Sequence, residues 1–149
     1  MKQETTLLLV KPDSVKRGII GQILSRFENK GLTIAAMKLI WLEEEKAREL
    51  YKPHVGKPFY EPTVKYMTSS PIVAVALRGF DAINIVRKLN GATRPNEADP
   101  GTIRGDFGQR VDFNCVHGSD SPENAQRELA IFFNEKELLN YERSLEEWI

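Results

Sequence analysis

Four short apolar runs, with helix-like segments between them, limit most strongly how this chain can fold. The runs occupy residues 5–10, 32–42, 71–77 and 113–117. The first contains four large apolar residues in succession at 7–10, a pattern typical of a central strand buried on both faces. We therefore expect four strands at the centre of the fold.

Helical periodicity separates these runs. After the first run, apolar residues recur at helical spacing until Gly31, with Asp13 or Ser14 as the predicted N-terminal cap. The other helices are predicted at residues 43–51, 59–67, 81–89 and from 122 onward. This order predicts an α+β fold with a ferredoxin-like βαββαβ core, a four-stranded antiparallel sheet and an inserted helical hairpin.

Residues 90–112 form the least regular part of the sequence. They contain four glycines and two prolines and show little apolar periodicity. Loops of this length without secondary structure are uncommon in compact domains unless they are functional or disordered. Because the composition is not of low complexity, we expect a long loop that shapes an active site.

Length and charge exclude several classes of protein. A chain of 149 residues suits a single domain spanning 1–149. Its 21 basic and 21 acidic residues give a formal net charge of +0, so no electrostatic footprint for duplex DNA is present. The apolar stretch at 7–10 is far too short for a signal peptide or a membrane span. We expect a soluble cytoplasmic protein, in which the single Cys115 is a small buried hydrophobe.

The candidate reactive residue is His117, where the fourth apolar run ends. Gly118 and Ser119 follow, and Ser121 with the next proline is typical of a helix start. His117 therefore lies at a predicted junction between a strand and a helix. Near pH 7 much of its imidazole is neutral and can act as a nucleophile, a base or a metal ligand. The alternative is a histidine that only caps the strand.

Cations and hydroxyls at the ends of predicted elements could bind phosphate. Arginine matches phosphate oxygens with two donors, whereas lysine acts as a point charge. Each of these residues alone is more typical of a solvated surface or an ion pair. Together they indicate a phosphate site only if the fold brings them to one cleft. They are Lys11, Tyr51, Arg87, Thr93 and Arg104.

Two further side chains could act with the histidine. In a regular strand Asn114 would point to the face opposite His117, so it reaches the site only if the strand bends. Glu128 follows two turns into the last long helix and could orient the imidazole, although an exposed helical glutamate is the alternative. His54 lies between a proline and a valine and is predicted to be an exposed turn residue. Two histidines and one cysteine predict no Cys/His metal site, and no P-loop or dinucleotide-binding glycine motif is present.

Three motifs together closely resemble the nucleoside diphosphate kinase family. They are K-P-D at 11–13, P-G-T-I-R-G-D-F at 100–107 and N-x-x-H-G-S-D-S at 114–121. The resemblance extends over essentially the whole chain, and the H-G-S-D sequence is highly specific. It implies transfer of the γ-phosphate of a nucleoside triphosphate to a nucleoside diphosphate by a ping-pong mechanism through a phosphohistidine at His117.

The same resemblance implies a role for each matched residue. Glu128 and Ser119 would support the histidine, and Phe59 and Val111 would form two sides of a slot for the base. Lys11, Tyr51, Arg87, Thr93, Arg104 and Asn114 would contact phosphates or ribose. The cofactor would be Mg²⁺, carried mainly by the nucleotide phosphates with no dedicated protein ligands. The partners would be ATP and other nucleoside triphosphates and diphosphates, in a homo-hexamer or alternatively a homo-tetramer.

Two other readings stay open from the sequence. A relative could keep the fold and bind phosphate without turnover, although every side chain expected to do chemistry is present. A ferredoxin-like nucleic-acid binder would need a basic sheet face with aromatic residues, which the zero net charge disfavours. No specific nucleic-acid partner and no membrane contact are predicted.

Overall fold

The computed structural model describes residues 3–149, and its centre is one four-stranded antiparallel sheet. The strands run in the spatial order β2-β3-β1-β4, which is the ferredoxin-like arrangement, so the predicted fold is confirmed. Their bounds are β1 Gln3–Val10, β2 Thr33–Ile40, β3 Ile72–Phe80 and β4 Val116–Gly118.

Seven α-helices connect and cover the strands within the described residues. They are α1 Pro12–Lys16, α2 Ile20–Lys30, α3 Glu44–Leu50, α4 Tyr60–Met67, α5 Ala82–Asn90, α6 Ile103–Phe107 and α7 Pro122–Phe132. Short 3₁₀ turns lie at Lys52–His54, Pro95–Glu97, Glu135–Glu137 and Glu146–Trp148. No helix in the described part of the chain is long and apolar enough to cross a bilayer.

Strand β1 is buried on both faces, as its uninterrupted apolar sequence predicts. Leu7 and Leu9 belong to a cluster with residues of α3, α4 and α7. Leu8 and Val10 point the other way and pack with residues of α2 and α5. All four are fully buried. Because side chains alternate along a strand, this one short segment packs against both layers of helices. That packing fixes the position of Lys11, the residue that follows the strand.

The predicted single helix ending at Gly31 is wrong at its start. The chain forms α1 and α2 as separate helices, with Gly18 at a φ of +71° between them. Neither Asp13 nor Ser14 caps α1, which begins directly at Pro12 after Lys11. The predicted stop is confirmed, because Gly31 adopts the left-handed conformation, at a φ of 102°, that favours glycine at helix ends.

Two other boundaries differ from the sequence-based expectation. Strand β3 continues through Gly79 to Phe80, where a Cβ on Gly79 would come within 2.6 Å of the Leu32 side chain. Residues 90–112 are not a structureless loop, since they contain α6 and a 3₁₀ turn. Thr102 caps α6 by accepting a hydrogen bond from the Gly105 amide at 3.0 Å. The segment thus has its own local structure, and α6 holds Arg104 in a defined place.

The C-terminal residues Trp148 and Ile149 are largely exposed. Their exposed fractions are 77% and 65%. The Ile149 side chain lies beside Gly31, where a Cβ on the glycine would be 3.1 Å from it. In the single chain Ile149 therefore packs beside Gly31, while the Trp148 side chain remains exposed to solvent.

Candidate active site

His117 lies on β4, at the junction that the sequence predicts. The strand is shorter and later than expected: residues 113–115 are outside it, and it comprises only Val116–Gly118. His117 is opposite Leu9 of β1. Beyond it, the Ser121 hydroxyl caps α7 by accepting a hydrogen bond from the Asn124 amide at 3.1 Å. The strand before the imidazole and the turn and helix after it fix the position of the ring at the edge of the sheet.

A buried carboxylate holds the imidazole. The Oε1 atom of Glu128 lies 2.8 Å from His117 Nε2 and accepts a 2.7 Å hydrogen bond from the Ser119 hydroxyl. The side chains of His117 and Glu128 are 21% and 7% exposed. Burial acts to raise the pKa of Glu128, but the hydrogen bonds from His117 and Ser119 and nearby positive charge outweigh it, so this pKa lies below its usual range.

The ionised carboxylate sets the tautomer of the ring. A carboxylate can only accept hydrogen bonds, so Nε2 of His117 donates to Glu128 and carries the proton. In the neutral ring the other nitrogen, Nδ1, then has a free lone pair. This geometry leaves Nδ1 free to act as a nucleophile and places Glu128 where it can stabilise positive charge on the ring.

Tyr51 lies beside the histidine with a hydroxyl that lacks a partner. The two ring centroids are 6.3 Å apart at an interplanar angle of 74°. The Tyr51 hydroxyl is buried and has no hydrogen-bond partner in the part of the chain that is described. Burial, and then the negative charge of Glu128, raise the pKa of Tyr51 well above its usual value, so this group stays a neutral donor. A buried hydroxyl without a hydrogen-bond partner lowers the free energy of unfolding, so such a group indicates a place where a ligand atom can bind.

Two cations, Lys11 and Arg104, contact residues that shortly precede His117 in the chain. Lys11 Nζ donates to Asn114 Oδ1 at 2.7 Å, and Asn114 Nδ2 donates to the Thr93 carbonyl at 3.0 Å. Burial, and then the positive charge of Arg104, lower the pKa of Lys11 to about 8. Burial likewise lowers the pKa of Arg104 to about 10. Cations that are partly desolvated and close together are typical of sites that receive an anion.

Arg104 has its donors on backbone carbonyls. Its Nε, Nη1 and Nη2 atoms donate to the carbonyls of Asn114, Gly91 and Val116 at 3.1, 2.9 and 2.7 Å. The guanidinium is therefore held in place by the ends of α5 and β4. Arg87, on α5, is exposed and close enough for its charge to lower the pKa of Arg104 further.

The remaining candidates lie at the surface rather than in the buried cluster. Phe59 and Val111 are 50% and 42% exposed, and the Thr93 side chain is exposed too. His54 is not the exposed turn residue that the sequence predicts, because it is only partly exposed and its ring lies 5.3 Å from that of Phe59. Burial, and then the charge of Lys57, lower the pKa of His54. The structure thus places one exposed aromatic face beside a partly buried histidine.

Sequence reasoning did not predict the long-range contacts of two residues that shape this region. Asp13, predicted only as a helix cap, accepts a hydrogen bond from the Cys115 amide at 3.2 Å. Gly118 allows α5 to approach β4, because a Cβ there would lie 2.8 Å from Asn90 Nδ2 and 3.1 Å from Val86 Cγ1. Both contacts join residues far apart in sequence, so no local pattern indicates them. The local signal at Asp13 was its place in the K-P-D motif that follows the first strand.

The site has few candidate metal ligands. Within residues 3–149 no three His, Cys, Asp or Glu side chains cluster in a way that could hold a metal ion. Cys115 is buried and its thiol has a pKa raised by burial and by the charge of Asp13. What the site offers is one oriented imidazole, an orphan hydroxyl and a group of cations, a combination that suits transfer of a phosphoryl group.

Comparison with known proteins agrees with this chemistry. The family profile described as nucleoside diphosphate kinase matches residues 4–138. The nucleoside diphosphate kinase of Archaeoglobus fulgidus is 51% identical over 146 residues, which cover 98% of this chain and 97% of the relative.

Two solved structures have the same fold over nearly their whole length. A nucleoside diphosphate kinase from Halobacterium salinarum in complex with CDP has a TM-score of 0.96 at 43% identity and covers 99% of this chain and 98% of its own. A transition-state mimic of the Borrelia burgdorferi enzyme with bound vanadate and ADP has a TM-score of 0.91 at 38% identity, covering 97% and 95%. From the matched profile and the identity of its relatives, the chain belongs to the nucleoside diphosphate kinase family.

Proposed function

We propose that this nucleoside diphosphate kinase carries the transferred phosphoryl group on Nδ1 of His117. The enzyme moves the terminal phosphate of a nucleoside triphosphate to a nucleoside diphosphate through a phosphohistidine, as its family membership shows. The observation that supports His117 in this role is its 2.8 Å contact with the buried carboxylate of Glu128, which leaves Nδ1 free. No other histidine within residues 3–149 has a carboxylate hydrogen-bond partner.

The reaction consists of two mirrored displacements. In the first, the Nδ1 lone pair attacks the γ-phosphorus, an N–P bond forms, and the bond from that phosphorus to the bridging oxygen breaks, so the diphosphate leaves. In the second, a terminal oxygen of the acceptor diphosphate attacks the same phosphorus and the imidazole leaves. The Nε2 proton stays on the ring throughout, and Glu128 stabilises the positive charge that appears on the ring in each transition state.

The surrounding donors would neutralise the phosphate. Lys11 and Arg104 supply positive charge, and the unpaired Tyr51 hydroxyl supplies a neutral donor next to the ring. In-line transfer of a phosphoryl group depends mainly on positioning and charge stabilisation, which fixed, partly desolvated donors provide. Vanadate with ADP was chosen as a transition-state mimic for the Borrelia burgdorferi relative, which supports the same kind of step here.

Exposed residues around the cluster would bind the nucleoside. Phe59 and Val111 offer apolar surface for the two faces of a base, while Arg87 and Thr93, together with Asn114 from the buried cluster, would offer donors for phosphate or ribose. A slot that contacts the faces of a base rather than its edges does not distinguish one base from another. We therefore expect broad use of nucleotides, including ATP as donor.

Kinases that use nucleoside triphosphates generally require a divalent cation, and we propose Mg²⁺ here. The described residues offer no cluster of three ligands, so the ion would be held mainly by the nucleotide's own phosphate oxygens. When bound, Mg²⁺ neutralises charge on those oxygens. The protein would neutralise the remaining phosphate charge with Lys11, Arg104 and the Tyr51 hydroxyl.

We further propose a single domain over residues 1–149 that works in the cytoplasm as a homo-oligomer. A hexamer is the expected assembly, with a tetramer as the alternative. Support comes from the outer strand β2 and the residue after it, where Met37, Leu39 and Trp41 are 55%, 66% and 64% exposed. Exposed apolar side chains along an unpaired sheet edge are typical of an interface.

The decisive experiment follows the phosphoryl group. Purified protein is incubated with ATP labelled at the γ-phosphate, and the label on the protein is mapped by mass spectrometry. We expect one acid-labile, base-stable label on His117 that transfers quantitatively to added GDP. A label that stays on the protein after GDP is added would favour phosphate binding without turnover, and a label on another residue would refute the assignment.

A further inference from the structure

Cys115 has a backbone conformation that its side chain disfavours. Its φ is +74°, and Asp81 is the only other non-glycine residue with a positive φ among those described. The Val116 amide donates to the Asn114 carbonyl at 2.8 Å, two residues back along the chain. A hydrogen bond of this spacing around a residue at that φ defines a γ-turn of the rare, strained kind. Such strained conformations persist only where surrounding structure enforces them.

The enforcing contacts come from the segment that follows β1. The Cys115 amide donates to Asp13 Oδ2 at 3.2 Å. The Cys115 carbonyl accepts from the Lys11 amide at 2.9 Å and from the Ser14 hydroxyl at 3.0 Å. Asp13 is itself held, since its other carboxylate oxygen accepts a hydrogen bond from the Tyr66 hydroxyl. Both polar backbone groups of Cys115 are thus bound by residues 11–14.

Arg104 supports the same turn from the other side. Its Nε atom donates to the Asn114 carbonyl and its Nη2 atom to the Val116 carbonyl, which belong to the residues on either side of Cys115. The guanidinium therefore spans the turn. If Arg104 shifts some of these donors to a phosphate, the contacts from residues 11–14 are what keeps the turn closed.

The turn decides which side chains meet at the active site. In a regular strand Asn114 would point away from the face of His117, but here its side chain reaches Lys11 Nζ at 2.7 Å. His117 lies only two residues beyond Cys115, on a strand of three residues that begins directly after the turn. A change in the backbone at Cys115 would therefore move both Asn114 and the imidazole.

We propose that Asp13 is a positioning residue for phosphoryl transfer, because it holds Cys115 in the strained γ-turn that aligns Asn114 and His117. This inference rests on the proposed role of His117. Asp13 does not touch the reacting atoms. Its carboxylate binds the Cys115 amide. Without that hydrogen bond, the backbone at Cys115 could relax to a negative φ.

The test is a cycle of Asp13→Ala, Cys115→Gly and the double variant, with the single-turnover rate of His117 phosphorylation by ATP as readout. Loss of a hydrogen bond to a strained amide should slow phosphorylation by Asp13→Ala about tenfold or more, with a smaller change in the dissociation constant for ADP. Glycine adopts a positive φ without strain. Adding Cys115→Gly to Asp13→Ala should therefore recover a large part of the lost rate.

The recovery separates this mechanism from a charge effect. Asp13 also acts to raise the pKa of Lys11, and a glycine at position 115 would not restore that interaction. A double variant as slow as Asp13→Ala would therefore overturn the proposal. So would a normal phosphorylation rate in Asp13→Ala, whatever its melting temperature.

Glu4→Ala provides the matched control. The Glu4 carboxylate accepts a hydrogen bond from the Ile83 amide at 3.2 Å, the same distance as in the Asp13 contact, but at the opposite end of β1. Its phosphorylation rate should equal that of the wild type. If Asp13→Ala does not fold, Asp13→Leu, which keeps a similar side-chain size but has no acceptor, replaces it in the same cycle. Absence of phosphohistidine in the wild-type protein would refute the proposed function itself, whereas normal labelling of both wild type and Asp13→Ala would refute only this inference.

Discussion

The two outer strands of the sheet, β2 and β4, are built in opposite ways. Strand β2 has eight residues and pairs with β3 along its length, with one irregularity between Ile34 and Ala36. Strand β4 has three residues that pair with β1, and a γ-turn at Cys115 precedes it. The outer side of β2 carries exposed apolar side chains, whereas β4 carries His117 among hydrogen-bonding partners.

The two strands differ in what holds their backbones, and this difference separates residues that serve assembly from residues that serve catalysis. The backbone of β2 is held by repeated strand pairing, so its exposed side chains are free to serve contacts with other molecules. The backbone near β4 is held by single side chains, among them Asp13, Ser14 and Arg104. Substitutions should therefore change assembly when they fall on β2 and catalysis when they fall near β4.

The largest effect is expected at His117. His117→Ala removes the proposed nucleophile, so phosphoenzyme formation and nucleotide exchange should fall to background, while the melting temperature changes little because the ring is part-exposed. Exchange is measured with ATP and GDP in a coupled assay. Full activity in this variant would reject the covalent route.

Arg104→Ala should affect both activity and stability. It removes charge from the phosphate site, which typically costs about 10²–10³-fold in rate, and leaves three backbone carbonyls without their donor. From the sequence alone, Arg104 is a cation that faces an anion rather than the core, and its substitution would lower activity more than stability. With the contacts seen here we expect a drop of several degrees in melting temperature as well, measured by calorimetry.

Lys11→Ala should lower activity with less effect on stability. The side chain makes one hydrogen bond, to Asn114, and its charge is already partly desolvated. We expect a loss of about tenfold to a hundredfold in kcat/KM with a small change in melting temperature. Lys16→Ala, an exposed lysine on α1, is the control and should behave as the wild type. Equal loss of stability and activity in Lys11→Ala would contradict a role in binding anions.

A pH profile should reveal the lowered pKa of Lys11. The ammonium is charged below about pH 8 and neutral above it, so kcat/KM should decrease as the pH rises through that value. Lys11→Arg keeps its charge in this range and should lose this inflection, even if its overall rate is lower. A wild-type profile that stays flat between pH 7 and 9.5 would mean that the charge of Lys11 does not limit the reaction.

The smallest effect on the chemistry of a single chain is expected on β2. Leu39 is 66% exposed, so Leu39→Asp should not disturb the core but should weaken an interface formed by this strand. Light scattering should show a smaller particle, while single-turnover phosphorylation of His117 stays within about twofold. An unchanged mass would show that β2 is not an assembly surface.

The arrangement of strands could be predicted from the sequence because it depends on local apolar patterns. The runs at 5–10 and 71–77 lie within β1 and β3 apart from one residue, and the predicted cap at Ser121 is present. The order of elements then left few topologies, and the observed strand order is one of them.

The details near the site could not be predicted because they depend on contacts between distant residues. The apolar run at 113–117 predicts a strand through Cys115, but hydrogen bonds from residues 11–14 and from Arg104 hold that residue in a turn. The same turn brings Asn114 to Lys11, 103 positions away in sequence. Apolar periodicity carries no information about such contacts. From the residues alone Asn114 could reach the site only if the strand bent, and the resemblance to a family then gave it a role.

The close packing at Gly118 has a consequence for how relatives of this chain can diverge. Helix α5, which carries Arg87, approaches β4 so nearly that no side chain fits between Gly118 and Asn90. A larger residue at 118 would push the helix outward and carry its arginine away from the imidazole. Positions 90 and 118 should therefore covary during evolution, with any gain of volume at one matched by a loss at the other.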